Sequence, residues 1–387
     1  MRPPHHTITP AVVRSTARHA LREVLPWKPY GRSVTVSTLL DLVLIVAVLR
    51  SSLSAVVKRR RFGSSHETAR AAVAANLPDL GPLTDGLVDA LHLFGSRALR
   101  RRRWVVAIDE HRTPSYGDRS TEGVTGGQKE HGTKYAYGYA TAVLVHHRHR
   151  YTVGLIALTG GEKPHQVVAA LLAQLDARGL KVRGVVLDSG FDSGETLLLL
   201  QGRKSSYTVP LRRKGSSNNR RNAVWLLEVG TVTTVEWKTD VTNRPVSTEA
   251  VVARRPREKD EKVYAFGGWD AGRARSEARR ASLAKRWYLE RFGIETSYRQ
   301  MNEAKAMTTK EDVKYRLLLI GLALLLRQVW VWLTARMARD GGLRPTAWVH
   351  GLPLERMIDW LADILEGKYE EEKEIRLESP LLPLAAA

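Results

Sequence analysis

The stretch Trp104–Asp109, WVVAID, is an apolar run rich in β-branched residues that ends in a carboxylate. A second run of this kind, VRGVVLD at Val182–Asp188, lies further along the chain. Such runs are typical of buried β-strands, and ligands collect at the carboxyl ends of strands in sheets that helices cover. The sequence therefore predicts that Asp109 and Asp188 end two buried strands and are candidates for a ligand site.

The residues between the two aspartates predict an α/β fold. The pattern indicates three strands, a helix and a further strand, at 104–109, 135–145, 151–158, 164–178 and 182–188. Pro164 suits the first turn of the helix, and Arg178 followed by Gly179 is typical of its end. The two aspartates are thus 79 positions apart in the sequence, and the predicted order allows their strands to be neighbours.

A third acidic residue lies on the segment Arg286–Thr309, RWYLERFGIETSYRQMNEAKAMTT, which is predicted to form one helix. Steps of three, four and seven residues return to the same side of an α-helix. One face therefore carries Tyr288, Arg291, Glu295 and Asn302. A carboxylate beside an aromatic hydroxyl and a guanidinium suits a site that holds a metal ion and binds a phosphate backbone.

Each acid taken alone has a simpler explanation. Asp109 could cap the turn after its strand, and Glu295 could pair on the helix surface with an arginine one turn away. Asp192 is a rival of Asp188 within LDSGFDSGE. However, Asp188 directly ends the apolar strand, whereas Asp192 and Ser193 are better interpreted as the N-cap of the next helix.

The sequence around these acids resembles the DDE transposases of bacterial and archaeal insertion sequences, over roughly residues 100–335. The resemblance rests on AIDEHRTPSYGD around Asp109, GTKYAYGYATAVLV after it, VVLDSGFDSGE around Asp188, and YRQMNEAKAMTT after Glu295. It implies an RNase H-like catalytic core, a mixed sheet flanked by helices, in which the first and fourth strands are neighbours. Asp109, Asp188 and Glu295 would then be the catalytic, metal-binding triad, with two Mg²⁺ or Mn²⁺ ions.

The subgroup that the chain resembles has a Tyr-x2-Arg-x3-Glu-x6-Lys signature. Tyr288, Arg291 and Glu295 match it at the required spacing, but Asn302 occupies the lysine position. Many relatives also have an arginine after the second aspartate, where this chain has Ser189. Both departures affect expected contacts with phosphate more than the expected metal site.

The resemblance also implies a set of DNA-contacting side chains. Tyr288 and Arg291 would contact the phosphate near the cleaved end, and Tyr298 and Arg299 would assist from an adjacent face. Lys305, one turn beyond the signature lysine position, is a candidate substitute for that lysine. Either Trp225 or Trp237 would stack on an unpaired base, although both tryptophans can equally be core residues.

Composition favours a nucleic-acid partner. The chain of 387 residues has a formal net charge of +21 and a sequence pI of about 10.3. A surplus of this size indicates a polyanion, and the pattern favours double-stranded DNA over a membrane. Hydrophobic residues make up 43% of the chain, which indicates a folded protein with a large core.

No membrane span is expected, because the apolar runs Leu42–Leu49 and Leu317–Leu326 are bounded by charged residues and are far shorter than the ~20 residues that a span requires. They are interpreted as buried helices. The chain has no cysteine, which excludes disulfides and thiolate zinc sites and is typical of a reducing cytoplasm. The expected location is the cytoplasm, in association with the nucleoid.

Five regions are predicted. A helical, basic N-terminal region at 1–103 has 17 Lys/Arg against 6 Asp/Glu and is expected to bind DNA. The catalytic core is expected in two parts, at 104–202 and 271–340, separated by a β-rich insertion at 203–270. Residues 203–257 have 12 basic and 4 acidic side chains, so the insertion is a second candidate DNA surface. A helix and an acidic tail are expected at 341–387.

The sequence therefore predicts a cut-and-paste DNA transposase that cleaves insertion-sequence ends, transfers a strand to target DNA, and acts as a homodimer on DNA. Two alternatives remain open. The first is a nuclease of the same fold that cuts but does not join DNA. The second is a decayed or domesticated DNA-binding protein without catalysis, which Ser189 and Asn302 would favour and three retained acids would not.

Overall fold

The structure is a computed structural model that describes residues 8–59, 65–130, 132–145, 150–213, 220–254, 261–269, 276–340 and 352–367. It separates into two compact units. One comprises Ser96–Ser297, and the other comprises Met1–Gly95 together with Tyr298–Ala387. The sequence-based boundaries at 103, 202, 270 and 340 remain predictions.

The helices and strands are numbered in chain order. The helices are α1 (Pro10–Val24), α2 (Val36–Val48), α3 (Leu53–Arg59), α4 (His66–Asn76), α5 (Leu80–His92), α6 (Ser96–Arg101), α7 (Pro164–Ala177), α8 (Gly194–Gly202), α9 (Glu277–Glu290), α10 (Phe292–Met301), α11 (Val313–Asp340) and α12 (Leu354–Leu365). The strands are β1 (Arg103–Pro114), β2 (Val124–Glu130), β3 (Thr133–Leu144), β4 (Thr152–Leu158), β5 (Lys181–Leu187), β6 (Ser206–Pro210), β7 (Val232–Lys238), β8 (Pro245–Arg254) and β9 (Glu261–Gly267).

The unit at 96–297 is built on one mixed sheet of nine strands, in the order β2-β3-β1-β5-β6-β9-β8-β7, with β4 also paired to β3. β1 and β5 run parallel, and Ile108 lies opposite Leu187. Asp109 and Asp188 follow this pair and are therefore neighbours in the sheet. Asp188 follows the end of β5 as predicted, but β1 continues past Asp109 to Pro114, so the prediction that Asp109 ends its strand is wrong: pairing of Asp109–Pro114 with β3 extends the strand beyond its apolar run. The expectation that the first and fourth predicted strands are neighbours is confirmed.

The sheet contains features that the sequence pattern did not indicate. β2 was not predicted, because its glycine-rich sequence VTGGQKE has no apolar alternation. The insertion, predicted to be rich in strands, also contains a 3₁₀-helix at Arg220–Leu226 before β7. The β-rich insertion extends the catalytic sheet, since β6 pairs parallel to β5 and β9 pairs antiparallel to β6.

Helix α7 covers the sheet as expected. It begins at Pro164, and its buried face consists of valine and leucine at positions 167, 168, 171, 172 and 175. These side chains belong to the same core cluster as Ile108 and Leu187. Burial of this apolar area fixes the helix on the sheet, and the ends of β1 and β5 are rigid as a result.

A buried tryptophan stabilises the sheet next to the strand that carries Asp188. Trp269 is 1% exposed, and its indole Nε1 donates to the carbonyl of Tyr207 at 2.7 Å and to the hydroxyl of Thr208 at 2.9 Å. Its ring lies over Gly184 of β5, where a Cβ atom would be 2.6 Å from the ring. The ring also stacks on Trp287, with centroids 5.8 Å apart.

Replacing Trp269 with alanine is expected to lower the free energy of unfolding by about 3–5 kcal/mol, because the change leaves a large cavity and two acceptors without their donor. Chemical denaturation followed by circular dichroism measures the change. Trp237→Ala is the matched control, since Trp237 is only partly buried and its loss should cost under about 2 kcal/mol. Equal losses in the two variants would contradict the assigned role of Trp269.

The predicted single helix at Arg286–Thr309 is wrong in its extent. Helix α9 begins earlier, with Ser276 as its N-cap, and regular α-helical hydrogen bonding is interrupted at Arg291. The Arg291 amide donates to Tyr288 O at 3.0 Å, and the Ile294 amide donates to Arg291 O at 2.8 Å. These are tight i→i−3 bonds. Arg291 is thus the junction between α9 and α10.

The second unit is helical. The apolar run Leu42–Leu49 lies mostly in α2, which is separate from α3, and the two helices are bent by 108°. Arg50 between them adopts a left-handed backbone conformation with φ 48°, which ends α2. Ser65 caps α4 by accepting from the Thr68 amide.

One helix, Val313–Arg339, is long and apolar enough to cross a membrane, as is the bent pair of α2 and α3 if counted together. In the window tested, 83% of the long helix is buried inside the protein. The predicted runs Leu42–Leu49 and Leu317–Leu326 are helical and almost entirely buried. Both runs are buried to the extent that is typical of core helices. The acidic tail predicted after Gly367 lies outside the described residues.

Candidate active site

The three predicted acids meet at one guanidinium. Arg291 Nη1 lies 3.3 Å from Asp109 Oδ2, and Arg291 Nη2 lies 3.6 Å from Asp188 Oδ1. The same Nη2 lies 2.8 Å from Glu295 Oε1, one helical turn along the chain. Residues separated by up to 186 positions in the sequence therefore form one cluster.

Each acid is positioned by a different element. Asp109 lies within β1, Asp188 follows β5, and Glu295 lies in the first turn of α10. Their side chains are 16%, 37% and 46% exposed, respectively. The cluster thus has a buried side at Asp109 and a side open to solvent at Glu295.

Arg291 is held in place by aromatic rings as well as by the acids. Its side chain is 6% exposed. Its Cζ atom lies 5.3 Å from the ring centroid of Tyr288 and 5.5 Å from that of Phe292. Tyr288 is 3% exposed and packs against Tyr264 at 4.7 Å between centroids. The rings fix the stem and plane of the guanidinium, and they provide cation–π contacts.

The electrostatics of the cluster follow from this burial. Burial raises the pKa of Asp109 to about 7; the charge of Arg291 opposes this rise, and the charges of Asp188 and Glu295 add to it. Burial lowers the pKa of Arg291, but Tyr288 and the three carboxylates outweigh that effect and raise it above its ordinary value. Arg291 is therefore charged, and Asp109 carries a proton until near neutral pH.

The raised pKa of Asp109 predicts a pH dependence of stability in the absence of divalent ions. The folded protein holds this proton up to about pH 7, whereas an unfolded aspartate releases it near pH 4. The contribution to stability is therefore present at low pH and is lost as the pH rises to 7, by up to about 4 kcal/mol.

Melting temperatures at pH 5 and pH 8 in EDTA should show this loss in the wild type and a smaller one in Asp109→Asn. Asp176→Asn, at an aspartate that is 48% exposed and paired with Arg203, should behave like the wild type. An identical pH dependence in Asp109→Asn and the wild type would contradict the assignment of the proton to Asp109.

The cluster is chemically suited to a hard divalent cation. Three carboxylates supply oxygen ligands, which Mg²⁺ and Mn²⁺ prefer, and together with Arg291 they leave an excess of negative charge. Within the described residues, no three histidine, aspartate or glutamate side chains are placed to share one ion. Instead, the guanidinium of Arg291 lies among the three carboxylates, with Nη1 facing Asp109 and Nη2 facing Asp188 and Glu295.

Two neighbours of Asp188 have structural roles. Asp192 is 5% exposed and accepts from the Arg212 amide at 2.7 Å, while Ser193 caps α8 by accepting from the Thr196 amide. The N-cap is thus Ser193, and Asp192 instead anchors the chain after β6. Ser189 begins a short 3₁₀-helix. Asp188 is the acid of this segment that contacts Arg291.

The remaining predicted DNA contacts are distributed between buried and exposed positions. Tyr288 is buried beneath Arg291, so it supports the guanidinium in this structure. Tyr298 is 9% exposed, Arg299 is exposed, and Lys305 is partly buried. Burial lowers the pKa of Lys305. Tyr298, Arg299 and Lys305 belong to the helical unit.

The two candidate tryptophans of the insertion differ in burial. Trp225 is 9% exposed and belongs to the core cluster, and Arg213 lies 5.8 Å from its ring centroid. Trp237 on β7 is only partly buried. Trp225 is therefore a core residue in this structure, and Trp237 is the better placed of the two to stack on a base.

Sequence reasoning missed two residues near the cluster. Tyr264 of β9 packs against Tyr288 and so supports Arg291 indirectly. Glu110 follows Asp109 directly; burial raises its pKa, Arg112 opposes the rise, and Glu162 and Asp188 add to it. Tyr264 lies in none of the quoted motifs, and Glu110 lies in AIDEHRTPSYGD without having been given a role. The adjacency of Glu110 to Asp109 was the only local signal.

A mixed sheet that places Asp109 of β1 and Asp188 after β5 beside a helix-borne glutamate is suited to metal-dependent phosphoryl transfer. The fold and this cluster fit the class of enzymes that act on phosphodiesters.

The chain belongs to the transposase DDE domain family, whose model matches residues 100–326. It is a DNA transposase, and enzymes of this family use divalent metal ions. The expected resemblance over 100–335 is confirmed at the level of the family.

Among solved structures, the chain is similar to a piggyBac transposase in a cryo-EM structure of its synaptic complex with hairpin DNA. The TM-score is 0.59 at 11% sequence identity, and the match covers 92% of this chain and 80% of that chain. A likeness at this identity concerns the fold, and it confirms the expected RNase H-like class. A search of curated protein sequences gives no match.

Proposed function

We propose that this transposase mobilises a bacterial or archaeal insertion sequence by a cut-and-paste route, with Asp109, Asp188 and Glu295 as its catalytic acids. The observation that carries the proposal is the convergence of the three carboxylates on Arg291, within 3.6 Å. Residues so distant in the sequence have no local reason to converge. Glu295 also fits, together with Tyr288 and Arg291, the Tyr-x2-Arg-x3-Glu part of the subgroup signature.

Two successive displacements account for the route. In the first, the oxygen of water bonds to phosphorus at the transposon end, the bond from phosphorus to the 3′ oxygen breaks, and a 3′-hydroxyl results. In the second, that hydroxyl bonds to a phosphorus of the opposite strand or of target DNA, and another 3′ oxygen leaves. The first step hydrolyses one ester bond, and the second exchanges one ester bond for another; in each, the proton lost by the attacking oxygen is balanced by the one gained by the leaving oxygen. Joining therefore requires no covalent protein–DNA intermediate.

Asp109, Asp188 and Glu295 would hold two Mg²⁺ or Mn²⁺ ions. When bound, such ions supply activation of the attacking hydroxyl and stabilisation of the leaving oxygen. The chain supplies the alignment: the β1–β5 ladder fixes the two aspartates, and the junction between α9 and α10 fixes Arg291 relative to Glu295.

DNA contacts are proposed for basic and aromatic residues of both units. Arg291, Arg299 and Lys305 would bind phosphates, Tyr288 and Tyr298 would support them, and Trp237 would stack on an unpaired base. The net charge of +21 favours a polyanionic partner.

A homodimer that pairs two transposon ends is the proposed assembly. The similar piggyBac protein is described in a synaptic complex with hairpin DNA, which supports paired ends here. The proposed location is the cytoplasm, in association with the nucleoid. Light scattering with and without end DNA measures the assembly, and a monomer on each DNA end would contradict it.

The decisive experiment incubates the wild-type protein with Mg²⁺ and duplex DNA that carries the sequences flanking its gene. Denaturing gels should show strands with new 3′-hydroxyl ends and strands joined to a target plasmid. Products that are cut but never joined would establish a nuclease instead. DNA that is bound but neither cut nor joined, with Mn²⁺ also ineffective, would establish a non-catalytic DNA-binding protein.

A further inference from the structure

The helical unit contains a polar cavity that is separate from the acid cluster in sequence and composition. Its volume is about 370 Å³, and it lies between the start of α3, one face of α4 and the loop before α11. Its polar lining consists of two cationic side chains and four hydroxyl side chains, namely Arg70, Lys310, Ser52, Ser54, Thr308 and Thr309. The apolar part includes Val73 and Tyr315.

The loop that carries Lys310 is fixed by hydrogen bonds. Arg316 donates from Nε to the carbonyl of Lys310 at 2.7 Å and from Nη2 to the carbonyl of Thr308 at 3.4 Å. The Lys310 amide donates to the Thr308 hydroxyl at 3.0 Å. Asp312 accepts from the amide of Tyr315 at 3.1 Å and so anchors the loop to the first turn of α11. The cavity wall is therefore preorganised.

The Lys310 ammonium is also positioned. It lies 3.1 Å from Asp312 Oδ2 and 5.2 Å from the ring centroid of Tyr315. Tyr315 is 7% exposed, and burial raises its pKa to about 12 against the opposing charge of Arg70. The tyrosine therefore keeps its hydroxyl proton at neutral pH, while the exposed Arg70 on α4 retains its full set of donors for a ligand.

This set of groups selects a phosphate. An arginine fork can bind two phosphate oxygens at once, a lysine adds a point charge, and serine and threonine hydroxyls complete the donors. The cavity is at the small end of the range for ligand sites, which suits one nucleotide unit. A carboxylate ligand would use fewer of these donors, and the chain already has a DNA partner under the proposed function.

We propose that this cavity binds one backbone phosphate of the DNA on which the transposase acts, through Arg70 and Lys310 assisted by the hydroxyls of its rim. The proposal rests on DNA being the partner, and it adds a contact outside the signature segment. It assigns a DNA-binding role to Arg70 on α4 and to Lys310 in the loop before α11, both of which lie outside the quoted motifs.

The test is phosphate ethylation interference on end DNA, with the double variant Arg70→Gln/Lys310→Gln. Interference at one phosphate, or at two adjacent ones, should disappear in this variant while the rest of the pattern stays. The slope of log K against log[salt] should become shallower by about 0.9, the value for one phosphate contact. Tyr315→Phe, which keeps the ring, should weaken interference at the same phosphate only.

The matched control is Arg339→Gln/Arg356→Gln, which removes two exposed cations of the same unit that lie outside the basic N-terminal region and do not line the cavity. It should retain the full interference pattern and the wild-type slope. An unchanged pattern in the Arg70/Lys310 variant, or an equal change of slope in the control, would overturn the proposal.

Ethylation interference tests the phosphate contact independently of strand transfer, and a second measurement tests whether the cavity binds a free nucleotide instead of DNA. Interference requires binding but no chemistry, so a wild type that binds DNA without joining it would refute strand transfer and still test the cavity. Titration calorimetry with the dinucleotide pTpT measures whether the cavity binds a free nucleotide. Binding of pTpT that depends on Arg70, together with an unchanged interference pattern, would assign the cavity to free nucleotides and overturn a role on DNA. A wild type that binds no DNA would overturn both proposals.

Discussion

Asp188→Ala is expected to abolish DNA cleavage and strand transfer, with a loss of at least about 10³-fold, while DNA binding changes little. The reason is that Asp188 supplies one of three carboxylates that meet at Arg291, and losing a ligand of a two-ion site removes stabilisation of both the attacking and the leaving oxygen. Affinity for DNA depends mainly on basic side chains and their release of counterions. Cleavage and joining are measured on gels, and binding is measured by fluorescence anisotropy.

Asp176→Ala is the matched control, because it removes an aspartate of the same unit that pairs with Arg203 at 2.6 Å and is 48% exposed. This variant should cut and join like the wild type. Asp109→Ala and Glu295→Ala should behave like Asp188→Ala. Joining that survives in any one of the three would remove that residue from the proposed triad.

Arg291→Gln is expected to raise the affinity of the DNA-free protein for Mn²⁺ by at least tenfold. The guanidinium lies within 3.6 Å of all three carboxylates, so it competes with a divalent ion for the same oxygens. At an effective dielectric constant of about 20, an ion pair at 4 Å is worth roughly 4 kcal/mol, which exceeds the 1.4 kcal/mol of a tenfold change. Electron paramagnetic resonance of free Mn²⁺ measures the affinity without any catalytic step.

The same substitution should destabilise the protein in EDTA at pH 8, by about 2–4 kcal/mol, because the three carboxylates lose a close positive partner. Added Mn²⁺ should restore most of this loss. The buried Nε of Arg291 has no hydrogen-bond partner within the described residues, so the guanidinium is incompletely satisfied where it lies. We infer that ion binding releases it toward DNA phosphate, the contact that the signature implies.

Arg286→Gln is the control for both effects. Arg286 lies on α9, is exposed, and contacts the ring of Trp287 at 5.5 Å, so its loss should leave Mn²⁺ affinity and stability close to wild type. Unchanged Mn²⁺ affinity in Arg291→Gln would mean that Arg291 and the ion do not share the carboxylates.

Much of the site was predictable because its signals are local. An apolar run that ends in Asp109 or Asp188 is visible in six or seven residues, and Pro164 indicates a helix start by its fixed φ. The spacing of Tyr288, Arg291 and Glu295 follows from helical periodicity. These inferences did not require knowledge of tertiary packing. The packing itself brings the three acids together.

Other features had no local signal. β2 is glycine-rich, so its place in the sheet depends on hydrogen bonds to β3. The bend at Arg50 and the junction at Arg291 are single-residue departures from helical patterns that look continuous in the sequence. Whether the insertion formed a sheet of its own or extended the catalytic sheet depended on pairing of β6 with β5 and of β9 with β6, which is non-local.

The sequence by itself determined which residues carry the chemistry, because strand ends, helix faces and a surplus of basic charge are properties of neighbouring residues and of composition. Only the tertiary structure decided what those residues contact. It buried Tyr288 and Trp225, and it turned Arg291 toward the acids. The physical reason is that charge attraction and the burial of aromatic surface depend on distances between residues that folding brings together. No local sequence pattern encodes those distances.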